Sequence, residues 1–577
     1  MTRTLSRLLP LLALAATPLA AQAPDPWAGL GRPRTHAPTP TTAAINPADL
    51  MTRLYAFSDD SMGGRLIASE GNRKGVEYIA SELRRFGLQP AGDNGTFFQA
   101  IPYVERVMDT TATLNAGGQR LRAWVDYLPR DNGSGARSLE GVQVVYAGMM
   151  ADSAHMVDSA AVAGKLVVVA LGPGFVGNPP GTVSRPAITR RYRRAAGIAI
   201  AGLDDITPAS LAIYRQPLQV MQGGQSPELP AYMYVTKRAA AALLGADPAT
   251  LQPGATGGTV TGGPRFIERP VPISARNVVA VLPGSDPALR REYVALGAHN
   301  DHVGEGGDPV ANDSIYVVNH LFRTEGADDP APRLTAEQQA QVNGILATIR
   351  QRTGGTSARG DTIYNGADDD GSGSMGLLEI AQYFASRPHP KRSLLFVWHV
   401  GEEAGLLGSE YFTDHPTVPR ESIVAQLNMD MIGRGGADDV TGSSKDGAKL
   451  HGGPGYVQLV GSRRLSTELG DLAETVNRQG NHGLNFDYAM DANGHPQNIY
   501  CRSDHYEYAR YGIPIIFFTT GGHADYHQVT DEPQHIDYAR LAQVANYVAD
   551  LATHVANLDH RPVVDHPKPD PNGRCVQ

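Results

Sequence analysis

Five short polar stretches, each beside an apolar run, hold the residues that could do chemistry. Gly297 to His302 (GAHNDH) follows Val294 to Leu296, Gly401 to Gly405 (GEEAG) follows Leu394 to Val400, and Asn428 to Gly433 (NMDMIG) follows Ile423 to Leu427. Asp525 to Gln528 (DYHQ) comes a few residues after Ile513 to Phe518, and Asn365 to Gly373 (NGADDDGSG) opens a helical pattern through Leu377, Ala381 and Phe384. Open α/β sheets gather ligands beyond the carboxyl ends of their strands, so these stretches are placed to meet. Acidic and histidine clusters brought to one sheet edge repel and lose solvation, and cations relieve both costs. Imidazole and carboxylate without thiolate suit zinc, and less exclusively cobalt or manganese. Two ions roughly 3.5 to 4 Å apart would share a carboxylate and polarise both a water and the carbonyl it attacks. The adjacent Glu402 and Glu403 then divide into one ligand and one free general base, because one backbone position cannot aim both carboxylates at the same ion. Taken singly, His299 or His527 is more often structural, the Glu pair a solvated loop, Asp368 to Asp370 an acidic helix start, and Asp430 a strand end. Their joint appearance in order, each beside an apolar run, favours the metal site.

The elements that must position these residues follow from the apolar pattern. Continuous runs at Val278 to Leu282, Val294 to Leu296, Leu394 to Val400, Ile423 to Leu427 and Ile513 to Phe518 suit strands covered on both faces. The fold class expected is α/β, a three-layer α/β/α sandwich with a mostly parallel central sheet, occupying residues 48–120 and 266–557. Val76, Ile79, Leu83 and Phe86 recur at helical spacing, with Gly87 as a stop, and predict an outer helix. Between them, residues 121–265 change texture to short Val-rich strands separated by Gly-rich turns, which reads as a smaller inserted domain.

At the start, Arg3 and Arg7 precede an apolar stretch from Leu8 to Ala21 that ends in small residues, so residues 1–23 read as a signal peptide. A Pro- and Thr-rich leader covers 24–47, and a tail covers 558–577. No later segment has the apolar length of a membrane span, and the expected location is exported, periplasmic or secreted. With 577 residues, 41% of them apolar, the chain should fold as two or three globular units. A net charge of -9 gives no basic field for nucleic acid. Two cysteines are too few for a thiolate site; export makes a Cys501–Cys575 disulfide possible, two free thiols being the other outcome.

The set GAHNDH, NGADDDGSG, GEEAGLLGS, NMDMIG, CRSDHYEY and DYHQVTDE resembles the co-catalytic dinuclear zinc aminopeptidases, whose superfamily includes glutamate carboxypeptidase and the glutaminyl cyclases. The inserted region resembles the protease-associated domain of many members, and together the likeness covers roughly residues 48–557. The resemblance implies two zinc ions, one taking His299 and Asp430, the other Glu403 and His527, with Asp369 bridging and Glu402 as general base. It further implies that Asp301 orients His299, that Tyr526 donates a hydrogen bond to the developing oxyanion, and that a cis peptide joins Asp369 to Asp370. Arg502 to His505 matches a loop lining the substrate pocket, making Arg502 and Asp504 candidate substrate-binding residues. His302, His482, His495 and His523 are expected to be structural or rim residues.

One departure concerns the gap between His299 and Asp369, which is 369 minus 299, or 70 residues, where compact members of the family need about 20 by resemblance. The extra segment, 303–364, holds a helical pattern from Thr335 to Arg350 with Val342, Ile345, Leu346 and Ile349 on one face. It is expected to form a lid or wall beside the pocket, the alternative being a remote excursion or dimer contact. The function implied is a metal-dependent exopeptidase acting on peptides, an aminopeptidase in the first place. A carboxypeptidase would need a cationic pocket, for which Arg434, Arg463 and Arg464 are candidates. Glutaminyl cyclase, by resemblance a single-zinc enzyme, fits less well, and a non-catalytic binding protein of the same fold is opposed by the filled ligand and base positions.

Overall fold

The computed structural model describes residues 27, 30, 32–130, 138–171, 185–223, 229–353 and 360–577. The expected signal peptide at 1–23 lies outside the described residues. At the centre is a nine-stranded sheet in the order Gln89–Pro90, Arg276–Leu282, Ser393–His399, Tyr293–His299, Ile423–Met429, Ile515–Thr519, Tyr456–Val460, Asn485–Asp487, with Phe98–Ala100 also pairing Arg276–Leu282. The four strands from Ser393–His399 to Ile515–Thr519 are mutually parallel, and Arg276–Leu282 and Tyr456–Val460 flank them antiparallel. The sheet is therefore mixed, parallel where the expected site residues leave it and antiparallel at its flanks.

Alternation along the buried strands feeds two cores. Val278, Ala280, Leu394, Phe396 and Trp398 face one, while Val279, Leu395 and Val397 face the other. Helices Pro47–Phe57, Glu70–Phe86, Gly373–Ala385, Thr467–Gln479 and Tyr538–Asn557 cover the first face; Leu407–Asp414 and His505–Ala509 cover the second. This is the three-layer arrangement the apolar runs imply. Glu70–Phe86 shows why such helices form. Ser69 caps its start by accepting the Asn72 amide, Val76, Ile79 and Leu83 point inward, and Gly87 at φ 81° ends it in a left-handed turn that other residues adopt at a cost.

Residues 114–262 build a second, eight-stranded sheet with its own cores, strand Leu166–Ala170 being central and parallel to both neighbours. This sheet begins at Leu114, ahead of the change in sequence texture at 121. The chain enters and leaves the region through strands Tyr103–Met108 and Phe266–Pro270, which pair antiparallel.

The 303–364 segment forms a two-stranded ribbon, Glu305–Ala311 with Gly360–Ile363, and two helices, Asn312–Phe322 and Ala336–Thr353. Val342, Leu346 and Ile349 of the second helix pack on Tyr316 and Val317 of the first and on Leu30 of the leader. The leader continues as a strap: Arg34 donates to Asn312 and Glu532, and Tyr55 donates to the Pro33 carbonyl. At the other end Cys501 and Cys575 form a disulfide that holds the tail down. Among the described residues no helix is long and apolar enough to cross a membrane.

Candidate metal centre

The parallel strands end together and deliver their polar residues to one place. His299 is the last residue of its strand, Asp430 follows Met429 directly, Glu402 and Glu403 stand three and four residues beyond His399, and the 520–527 loop leaves Thr519. The acidic triplet comes just before the largely buried Gly373–Ala385 helix, which packs between the sheet and the outer helices.

Asp369 lies at the middle of the cluster, with Oδ1 3.1 Å from His299 Nε2 and Oδ2 2.9 Å from His527 Nε2. Glu403 Oε2 is also 2.9 Å from His527 Nε2, and Asp430 Oδ1 is 3.7 Å from His299 Nε2. His299 Nε2 and His527 Nε2 are buried yet make no hydrogen bond of acceptable geometry. Two imidazole nitrogens without hydrogen-bond partners, turned toward the carboxylates of Asp369, Glu403 and Asp430, are a donor set that fits divalent cations. The peptide from Asp369 to Asp370 is cis. Glu402 sits at the edge, Oε2 4.0 Å from His299 Nε2, lining a cavity that opens beside the cluster.

Charge in this buried cluster is mutually determined. Burial opposes a proton on His299, but Asp301, Asp369 and Asp430 outweigh it and hold its pKa well above the ordinary value. Burial likewise opposes ionisation of Asp369, yet His299 and His527 bring its pKa well below the usual range. Glu402 goes the other way: burial, with Asp430, Glu403 and Asp504 nearby, raises it well above a normal carboxyl despite His299.

Several supporting residues were not legible as such in the sequence. Asp370 uses both oxygens on main-chain amides, Oδ2 accepting from His299 and Oδ1 from Gly373 and Met431, so it braces three segments and has little left for an ion. Asp531 accepts the amides of Asp368 and Asp369 and orients the triplet. Ser503 donates to Asp430 Oδ2 at 2.7 Å. His302, expected to be structural or at the rim, has Nδ1 2.7 Å from Glu403 Oε1 and 3.8 Å from Asp369 Oδ2. Its position three residues after His299 was the available signal. Asp301 stands behind His299, but the nearer acceptor for Nδ1 is the Asp301 main-chain oxygen at 3.2 Å, the carboxylate lying at 3.7 Å and accepting the Glu402 amide.

Arg502 and Tyr526 both line the cavity, and Arg502 Nη2 donates to the Tyr526 hydroxyl at 3.2 Å. Asp504 differs from expectation. It is fully buried, 3.4 Å from His399 Nδ1, and absent from the cavity lining, so substrate cannot reach it; Ser503 is the residue of that loop that faces the cavity with Arg502. The cavity is otherwise walled by Met431, Met490, Ile499 and Phe517, with Gln458 and Thr519, and by Glu325 and Asp328 of the 303–364 segment. The three arginines considered for a carboxylate pocket are engaged elsewhere: Arg434 with Asp525 and Asp439, Arg463 with Asp471, Arg464 with Asp491.

Residues 352–552 match the model of Peptidase family M28. The match includes Asp369, Glu402, Glu403, Asp430 and His527, while His299 lies ahead of it. Leucine aminopeptidase 1 of Neurospora crassa is 31% identical over 146 residues, 22% of this chain and 36% of that protein. Leucine aminopeptidase 1 of Coccidioides posadasii (strain C735) is 32% identical over 193 residues, 30% of this chain and 44% of that protein. The chain thus spans less than half the length of these curated relatives. Among solved structures, an aminopeptidase from Aneurinibacillus sp. strain AM-1 aligns over 91% of this chain and 97% of its own at 17% identity and TM-score 0.44. A zinc aminopeptidase from Bacillus subtilis aligns over 91% and 99% at 15% identity and TM-score 0.45.

Proposed function

We propose that this chain is a two-zinc aminopeptidase that removes N-terminal residues from peptides. The observation that carries the reading is Asp369, whose two oxygens face His299 at 3.1 Å and His527 at 2.9 Å as a carboxylate shared between two ions would. His299 and Asp430 would hold one ion, Glu403 and His527 the other; when bound, the ions supply Lewis acidity to a water and to the scissile carbonyl. Glu402, which faces the cavity, takes the proton of the attacking water and passes it to the leaving amine. The Tyr526 hydroxyl, already accepting from Arg502, keeps its own proton for the developing oxyanion.

The cavity's charge favours an amine terminus over a carboxylate. Arg502 is the one cation among its described lining residues, and it is held by Tyr526 and, at 3.7 Å, by Asp328. Glu325 and Asp328 add negative charge at the same wall. A carboxypeptidase would need an uncommitted cation there. Export is part of the proposal, supported by the signal-like first 23 residues and by the Cys501–Cys575 disulfide, a bond typical of oxidising compartments. So is a protease-associated role for the region 121–265, supported by its separate sheet and cores. The test is a panel of free and N-acetylated aminoacyl amides, assayed before and after chelation and again with zinc restored. Cleavage of free amides only, lost on chelation and regained with zinc, is expected; equal cleavage of blocked amides would overturn the aminopeptidase reading, and full activity after chelation the metal reading.

A further inference from the structure

The 303–364 segment touches more than the cavity rim: it grips the loop that carries His527 from behind. His527 sits at φ 51°, in the left-handed region that a branched or aromatic side chain adopts at a cost of order 1 kcal/mol or more, so its surroundings must hold it there. Gln528 supplies one hold, its Nε2 donating to the His527 carbonyl at 2.7 Å. The amide of Gln528 is itself fixed by Arg323, whose Nη1 donates to Gln528 Oε1 at 2.8 Å. A second hold is the turn at Gly326. The Ala327 amide donates to the Tyr526 carbonyl at 3.0 Å, and a Cβ on Gly326 would lie 2.6 Å from that carbonyl oxygen and 2.9 Å from the His523 oxygen. A third is Asn312, which donates to the Val529 carbonyl at 2.8 Å.

We infer that Arg323 and Gly326 are positioning residues for the second of the two ion sites: the inserted segment holds His527 in the backbone conformation that turns its Nε2 toward Asp369 and Glu403. This rests on the two-ion reading proposed above. No contact from these residues reaches His299 or Asp430 among those described, so their influence falls on one site of the two. Outer partners of a metal ligand typically contribute 10- to 100-fold in affinity, which sets the size of the effect.

The experiment compares the full-length wild type with Arg323→Met, Arg323→Lys and Gly326→Ala, each equilibrated in chelator buffers that fix free zinc over a wide range, with bound zinc counted and unfolding followed on the same samples. The wild type should hold two ions. Arg323→Met and Gly326→Ala should keep one ion at wild-type free zinc and release the other at free zinc at least tenfold higher, and Arg323→Lys should recover part of the loss. Release curves that superimpose on wild type would overturn the inference while leaving the two-ion reading intact. Equal loosening of both ions, in step with a lowered unfolding midpoint, would reduce these residues to ordinary structural ones and overturn it as well. A wild type that binds fewer than two ions would end the two-ion reading, and this inference with it.

Discussion

At the residue scale the site separates groups that could hold an ion from a group that could move a proton. His299, Asp369, Glu403, Asp430 and His527 turn their polar atoms on one another, whereas Glu402 faces the cavity. Glu402→Gln keeps the side chain's size and removes only its ability to take a proton. Turnover should fall roughly 10²- to 10⁴-fold while bound zinc, measured by elemental analysis, stays at the wild-type level. Loss of zinc in parallel would make Glu402 a ligand instead. Ser503→Ala tests the neighbouring detail that Asp430 is aimed by a hydroxyl 2.7 Å away. On the proposed two-ion reading it should weaken the ion held by His299 and Asp430 about 10-fold or more in the same chelator titration, leaving the one held by Glu403 and His527 unchanged.

At the scale of elements, polar contacts between helices do what the apolar stripes cannot. Arg53 on helix Pro47–Phe57 is fully buried and pairs at 2.7 Å with Glu379 on helix Gly373–Ala385, the helix that presents the acidic triplet. Burial pushes Glu379 up to about 7 even beside this arginine. Arg53→Met would strand that carboxyl and should cost about 3–5 kcal/mol in denaturant unfolding; adding Glu379→Leu should recover most of it, because a buried pair is replaced more cheaply than it is broken. The apolar patterns located Glu70–Phe86, Gly373–Ala385 and the buried strands, since burial on one or both faces leaves a period in the sequence, while Pro47–Phe57 went unread. They left the work of the 303–364 segment unread. Its face of Val342, Ile345, Leu346 and Ile349 announced a helix, but the contact that matters joins Arg323 to Gln528 across 205 residues through two polar side chains with no period at all. Glu325 and Asp328 of this segment line the cavity while Arg323 reaches Gln528 beside His527, and neither contact is marked by an apolar period. The same limit hid Asp531 and Ser503, which orient ligands from other loops, and made Asp504 read as a cavity residue when its side chain points into the core toward His399.

Taken as a whole, the molecule holds titratable groups whose burial pulls its stability in opposite directions as pH falls. Burial lowers His505 to about 3, against the ordinary 6.5, where its ring stacks on Phe517 with centroids 4.6 Å apart. His535, also buried, is lowered to about 3 as well. Between pH 6.5 and about 3 the unfolded chain binds a proton at each of these histidines that the folded chain refuses, so each contributes stability that is present above 6.5 and lost as pH falls. Glu379 and Glu507, raised to about 7 by burial, act oppositely: the folded chain binds their protons first, and their contribution fades as pH rises from 4.5 through 7. The total profile therefore blends both signs, and a difference between two proteins isolates one of them. His505→Phe keeps an aromatic ring against Phe517 and removes the titration. Relative to wild type this variant should gain stability as pH falls below 6.5, by about 1.4 kcal/mol per pH unit, with the carboxyl contributions and any loss of bound ions cancelling between the two. Denaturant unfolding of both proteins from pH 7.5 to 4.5 measures it; a difference that stays constant across that range would mean that the His505 ring takes up its proton in the fold as readily as in the unfolded chain.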